Sequence, residues 1–208
     1  MSTRLTSPEA RYAPAHTAVV VVDMQHDFLA EDGYVQTVVG KDTSPCRAII
    51  PALDAFLTQA RAANVPVIWV RAMYAEATLA APIRVKQLEK GPEQVCVEGT
   101  QGAAWYGVEP QSGEAVFTKT TYSAFTDPAL AAHLSAAGIR SLIFTGVQTN
   151  VCVETSLREA VCRGFYAAIA EDCTASHAPA LHEATLTNVR FLFGDVLPAN
   201  AFTKMWTA

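Results

Sequence analysis

Five short apolar runs punctuate the chain: AVVVV at 18–22, VIWV at 67–70, AVFT at 115–118, LIFT at 142–145 and AAIA at 167–170. None alternates apolar with polar positions, which is the pattern of strands buried on both faces. Between them the apolar spacing changes to a helical period. Over 49–60, Ile49, Leu53, Phe56, Leu57 and Ala60 fall on one face. The segment 127–138 opens with Asp127 as N-cap and Pro128 at the first helical position, and it closes on Gly138. Over 152–164, Val153, Leu157 and Val161 form a stripe, while Glu154–Arg158 and Glu159–Arg163 are favourable pairs one turn apart. A last helix is predicted over 179–193. Strands alternating with helices in this way predict an α/β fold, a parallel sheet covered by helices on both sides.

The stretch 71–114 breaks the alternation. It is long and irregular and contains GPEQVCVEGTQGAAWYG, and loops of that length in a compact domain serve as lids or binding segments. No repeat or linker divides the chain, so residues 1–208 read as a single domain, with 1–15 as an extended N-terminal arm.

Composition narrows the function classes. Half of the 208 residues are hydrophobic and 17% are charged, enough to build a substantial core. The net charge is −5 and no basic cluster occurs, which excludes a nucleic-acid surface. The run at 18–22 is far too short to span a bilayer, so no membrane partner is expected. The N-terminal MSTRLTSPEARYAPAHT lacks an apolar signal core, and the cytosol is the expected compartment. Five cysteines, at 46, 96, 152, 162 and 173, form no CxxC pair. They read as reduced thiols whose default role is core packing.

Three strand ends carry chemistry. In open α/β sheets, ligands sit outside the carboxyl ends of the strands. Asp23 follows the first run in VVDMQHDFL, Lys119 follows the third in FTKTTYSAF, and Cys152 follows the fourth after the turn GVQTNV. Each has a plainer role: Asp23 as a cap or turn residue, Lys119 as a solvated surface charge, Cys152 as filler. Together they make a division of labour. A thiol in the first turn of a helix, near an ammonium, is pushed toward thiolate. A carboxylate opposes that charge but accepts the proton and returns it to a leaving group. Asp27 reads as a surface acid, and Cys162 and Cys173 as core thiols.

These motifs, VVDMQHDF, FTKTTYSAF and GVQTNVCVETSLREA, resemble those of the cysteine hydrolases of the isochorismatase-like superfamily over nearly the whole chain. The resemblance implies a Rossmann-like three-layer α/β/α fold with a six-stranded parallel sheet. It implies a catalytic triad on Asp23, Lys119 and Cys152, and a non-proline cis peptide at Val147–Gln148. An oxyanion hole would follow from the backbone N–H groups of Gln148 and Cys152. The implied reaction is amide hydrolysis through a thioester.

The substrate class is read from smaller signals. Nicotinamidases of the family carry a metal site marked by Asp-x-His after the second strand. Here VRAMYAEAT has neither residue, and the five histidines show no ligand spacing. No metal and no other cofactor is expected. True isochorismatases lack the cysteine. The stretch EDGYVQTVVGKDTSP resembles the subgroup acting on linear ureides: biuret, triuret and ureidoacrylate. A nicotinamidase-like or N-carbamoyl amino acid amidase is the alternative, and a catalytically idle or redox-sensing member of the fold is the alternative of another class. Phe28, Tyr34 and Trp105 are candidates to wall the pocket, and Gln25, Tyr122 and Ser123 to supply polar contacts. The expected partner is a small amide or ureide, and the family likeness implies a homo-oligomer, dimer or tetramer.

Overall fold

The structure, a computed structural model, describes residues 4–207. Six strands form one all-parallel sheet: β1 (Thr17–Val22), β2 (Val67–Ala72), β3 (Ala115–Lys119), β4 (Ser141–Val147), β5 (Tyr166–Ala175) and β6 (Asp195–Leu197). Their spatial order is β3-β2-β1-β4-β5-β6. The chain winds outward from β1 to β3, then crosses back to β4 and winds the other way. The strand order therefore reverses between β1 and β4, the position where such sheets bind ligands.

Alternate residues of β1 feed two separate cores, as the pleat requires. Val19 and Val21 join Leu53, Phe56, Leu57 and Trp69, under α1 (Ile50–Ala62). Val20 and Val22 join Ile68, Leu130, Leu134, Phe144, Leu157 and Leu186 on the opposite face. That face is covered by α3 (Pro128–Ala136), α4 (Glu154–Cys162) and α5 (Pro179–Asn188). Between β2 and β3 lies α2 (Ala81–Leu88), and the described chain closes with α6 (Ala199–Thr207). The result is the three-layer α/β/α sandwich.

Local signals held where chemistry fixed them. Asp127 caps α3 by accepting from Ala129 N at 2.9 Å, and Gly138 follows with φ +67. Both glutamate–arginine pairs on α4 form. Two expectations are corrected. Within its described residues the N-terminal segment is not an extended arm: Pro8–Arg11 is a helical turn. The next residue, Tyr12, is fully buried, packs edge-on against Phe202 of α6, and sets its hydroxyl 2.6 Å from Asp195 Oδ2. An apolar ring with a satisfied hydroxyl locks this end onto the sheet. Cys162, expected in the core, is exposed at the end of α4, on the outer side of a last turn whose Ala160 is buried against the sheet.

Gly146 has a specific task. Its φ is +91, and a Cβ there would run into the Val22 carbonyl of the neighbouring strand. Only glycine lets the end of β4 pass so close to the end of β1.

Candidate active site

Asp23 leaves β1 with φ +52, its N–H held by Val70 O at 2.9 Å. Asp tolerates this left-handed backbone better than most residues. Lys119 ends β3, two strands from β1. Neighbouring strands stand about 4.8 Å apart, so only a long side chain crosses the end of β2 to reach Asp23. Cys152 lies in a wide helical turn, Thr149–Val153, that runs into α4. The Val147–Gln148 peptide before it is cis.

The three groups meet. Lys119 Nζ stands 2.9 Å from Asp23 Oδ2 and donates to Cys152 Sγ at 3.3 Å and to Thr121 O at 3.1 Å. The Cys152 thiol also lies within electrostatic range of the Asp23 carboxylate. All three are buried.

Burial sets the protonation states. It pushes the Asp23 carboxyl above its ordinary range, and the Lys119 ammonium only partly offsets this. Burial opposes charge on Lys119, but the facing Asp23 and Cys152 reverse it and hold the ammonium well above the usual lysine range. The Cys152 thiol is pushed up by burial and then by Asp23, with Lys119 pulling the other way without prevailing. The sequence reading favoured a thiolate at a helix start. In the folded protein, burial and the facing carboxylate, itself of raised basicity, favour the protonated thiol instead.

A cavity of about 140 Å³ opens in front of these groups, lined among others by Asp23, Cys152, Gln148, Phe28, Tyr34 and Tyr122. Of the six substrate-contact candidates, Phe28, Tyr34 and Tyr122 therefore face it. The other three do not. Gln25 spends its amide within the protein, donating to Ala72 O (2.9 Å) and Ala103 O (3.0 Å) and accepting from Ala72 N (2.7 Å). It ties the 71–114 segment to the end of β1. Ser123 donates to Glu159 and accepts from Phe125 N, joining the turn after β3 to α4. Trp105 packs edge-on against Trp69 and lines a separate cavity of about 560 Å³ with Asp54 and Arg61. That larger cavity is lined by none of the three reactive groups.

The lid is fixed by residues the sequence undervalued. Asp27, read as a surface acid, accepts from Cys96 N at 2.6 Å and Tyr34 N at 3.2 Å, so one carboxylate staples both loops. Tyr74, just beyond β2, lines the cavity and places its hydroxyl 3.4 Å from Lys119 Nζ. The strand-end rule that singled out Asp23 and Lys119 also points to it. Gln148 is anchored by its side chain, Oε1 accepting from His177 N at 2.9 Å. Among the described residues no group of three or more His, Cys, Asp or Glu converges on a metal-sized site, and no helix is long and apolar enough to cross a membrane.

The family defined as the isochorismatase domain matches residues 17–201. The ureidoacrylate amidohydrolase RutB of Agrobacterium fabrum is 36% identical over 204 residues, covering 91% of this chain and 89% of that one. Its counterpart in Pantoea ananatis is 33% identical over 211 residues, covering 94% and 84%. Among solved structures, a cysteine hydrolase from Pseudomonas syringae pv. phaseolicola superposes with a TM-score of 0.85 at 26% identity, covering 100% of this chain and 99% of that one.

Proposed function

Because this chain belongs to the isochorismatase family, we propose that it is a cysteine-dependent amidohydrolase that cleaves a C–N bond of a small linear ureide of the biuret, triuret or ureidoacrylate type. It is a hydrolase of carbon–nitrogen bonds other than peptide bonds, the class its relatives' names carry. The observation that carries the finer reading is the sealed cluster of Asp23, Lys119 and Cys152 at one end of a small cavity.

In the proposed reaction, Asp23 takes the Cys152 proton as Sγ attacks the ureido carbonyl carbon. The backbone N–H groups of Gln148 and Cys152 receive the oxyanion. Collapse of the tetrahedral adduct breaks the C–N bond, and Asp23 gives its proton to the departing nitrogen, leaving a thioester. Water, deprotonated by Asp23, then attacks the thioester. The carboxylic or carbamic acid leaves and Cys152 regains its proton. Lys119 keeps a positive charge beside Asp23 and the sulfur throughout, compensating the negative charge that moves between them.

Ammonia release across a panel of biuret, triuret, ureidoacrylate, nicotinamide and carbamoyl amino acids tests the reading. Turnover concentrated on the ureides is expected. Turnover of nicotinamide alone would refute the substrate class.

A further inference from the structure

The side-chain amide of Gln148 is unevenly used. Its oxygen receives three donors: His177 N at 2.9 Å, His177 Nδ1 at 3.1 Å and Cys46 Sγ at 3.6 Å. Its nitrogen, Nε2, is buried and has no hydrogen-bond partner among the described residues. The residue is 6% exposed and lines the cavity in front of Cys152.

Chemistry fixes which end of the amide is which. A backbone N–H can only donate, so the atom facing His177 N must be the oxygen. Turning the amide over would set donor against donor. Holding His177 N needs only an acceptor, yet glutamine also brings an NH₂ group, and a buried donor without a partner is costly and uncommon. Anchoring therefore accounts for the oxygen and leaves the nitrogen unexplained. The cavity wall offers it little. Phe28, Val35, Ile83, Val95 and Val151 are apolar, and the Asp23 carboxylate is engaged by Lys119 at 2.9 Å. Two more buried atoms without a partner, Tyr34 Oη and Gln87 Oε1, belong to residues lining the same cavity. A molecule with polar groups of its own, beyond the bond to be cleaved, satisfies such a wall.

The Gln148 amide is held from outside its own turn, by Cys46 in the helical turn Ser44–Ala48 and by His177 beyond β5. It is drawn away from the backbone N–H of the same residue, which the proposed reaction gives to the oxyanion. We propose that Gln148 determines specificity through its side chain, with Nε2 donating to a second carbonyl oxygen of the substrate, outside the scissile group. An acylurea, which has that carbonyl, is then favoured over an alkylurea of the same size. This rests on the hydrolase reading above and adds the residue that chooses within it.

The test compares acetylurea with ethylurea, which differ only in the second carbonyl. Their kcat/KM for ammonia release is measured with wild type, Gln148→Met and Gln148→Glu. Their Kd is measured by NMR titration of Cys152→Ala, alone and combined with each Gln148 substitution. Acetylurea also has the better leaving group, so the readout is the change in ratio on substitution. Each variant should lower the preference for acetylurea by about 3- to 10-fold, the usual worth of one hydrogen bond, in kcat/KM and in Kd alike. Gln148→Glu keeps an acceptor for His177 N, so it decides if Gln148→Met does not fold. An unchanged Kd ratio overturns the assignment of Gln148, whatever the turnover. A Kd ratio that falls as expected, with no ammonia released from any ureide by wild type, upholds the donor and sinks the hydrolase reading alone.

Discussion

Lys119 Nζ lies 2.9 Å from Asp23 Oδ2, with the two side chains 0% and 1% exposed. The two residues end strands that are not neighbours, since β2 lies between β1 and β3. A buried pair of this kind is fragile to the loss of one member, because the survivor is left charged without water or partner.

Lys119→Met keeps the length of the side chain and removes the charge. A loss of about 3–5 kcal/mol in urea-unfolding stability is expected at neutral pH, with activity abolished. Asp23 has a folded carboxyl raised above its ordinary range by burial. The stability it contributes is therefore present below that range and is lost as pH rises through the raised value. The deficit of Lys119→Met should accordingly shrink on acidification, as the stranded carboxyl takes up a proton. A deficit independent of pH would contradict this.

The raised thiol of Cys152 makes its reactivity depend on Asp23. Alkylation by iodoacetamide, followed by peptide mass spectrometry in a Cys162→Ser background, should slow as pH falls. Asp23→Asn removes both the charge that pushes the thiol up and the group that carries the proton, so amide turnover should fall by about 10²-fold or more while labelling of Cys152 does not slow. Unchanged turnover in Asp23→Asn would mean that no carboxylate is needed to move the proton.

Gly146→Ala tests the approach of β4 to β1. A Cβ at φ +91 beside the Val22 carbonyl should cost at least about 2–3 kcal/mol. The corresponding fall in melting temperature is roughly 4–12 °C for a domain of this size. A melting temperature within about 1 °C of wild type would show that the strand ends have room to part.

Much of this arrangement was legible in the sequence because the signals were local. Apolar runs bounded by polar residues marked five strands, Asp127–Pro128 marked a helix start, and three strand ends exposed the reactive groups. The missed elements had weak or non-local signals. β6 is three residues long, too short for any periodicity. Tyr12 is buried by a partner 190 residues away on α6, Phe202. Gln25, Ser123 and Trp105 were assigned to the pocket for being near the reactive residues or in the long loop. Such placement does not fix direction: their side chains turn into the lid, α4 and the other core. Asp27 went the other way, from surface acid to staple, because its partners lie in a loop with no pattern of its own.

The proposed chemistry depends on the sulfur of Cys152. Ammonia release from the best ureide of the panel, measured with Cys152→Ala whose fold is verified by its melting temperature, is the most direct test. A fall of about 10⁴-fold or more is predicted, the scale seen when a covalent nucleophile is removed. Turnover within about tenfold of wild type would contradict the thioester route, since removal of a true nucleophile costs far more than that.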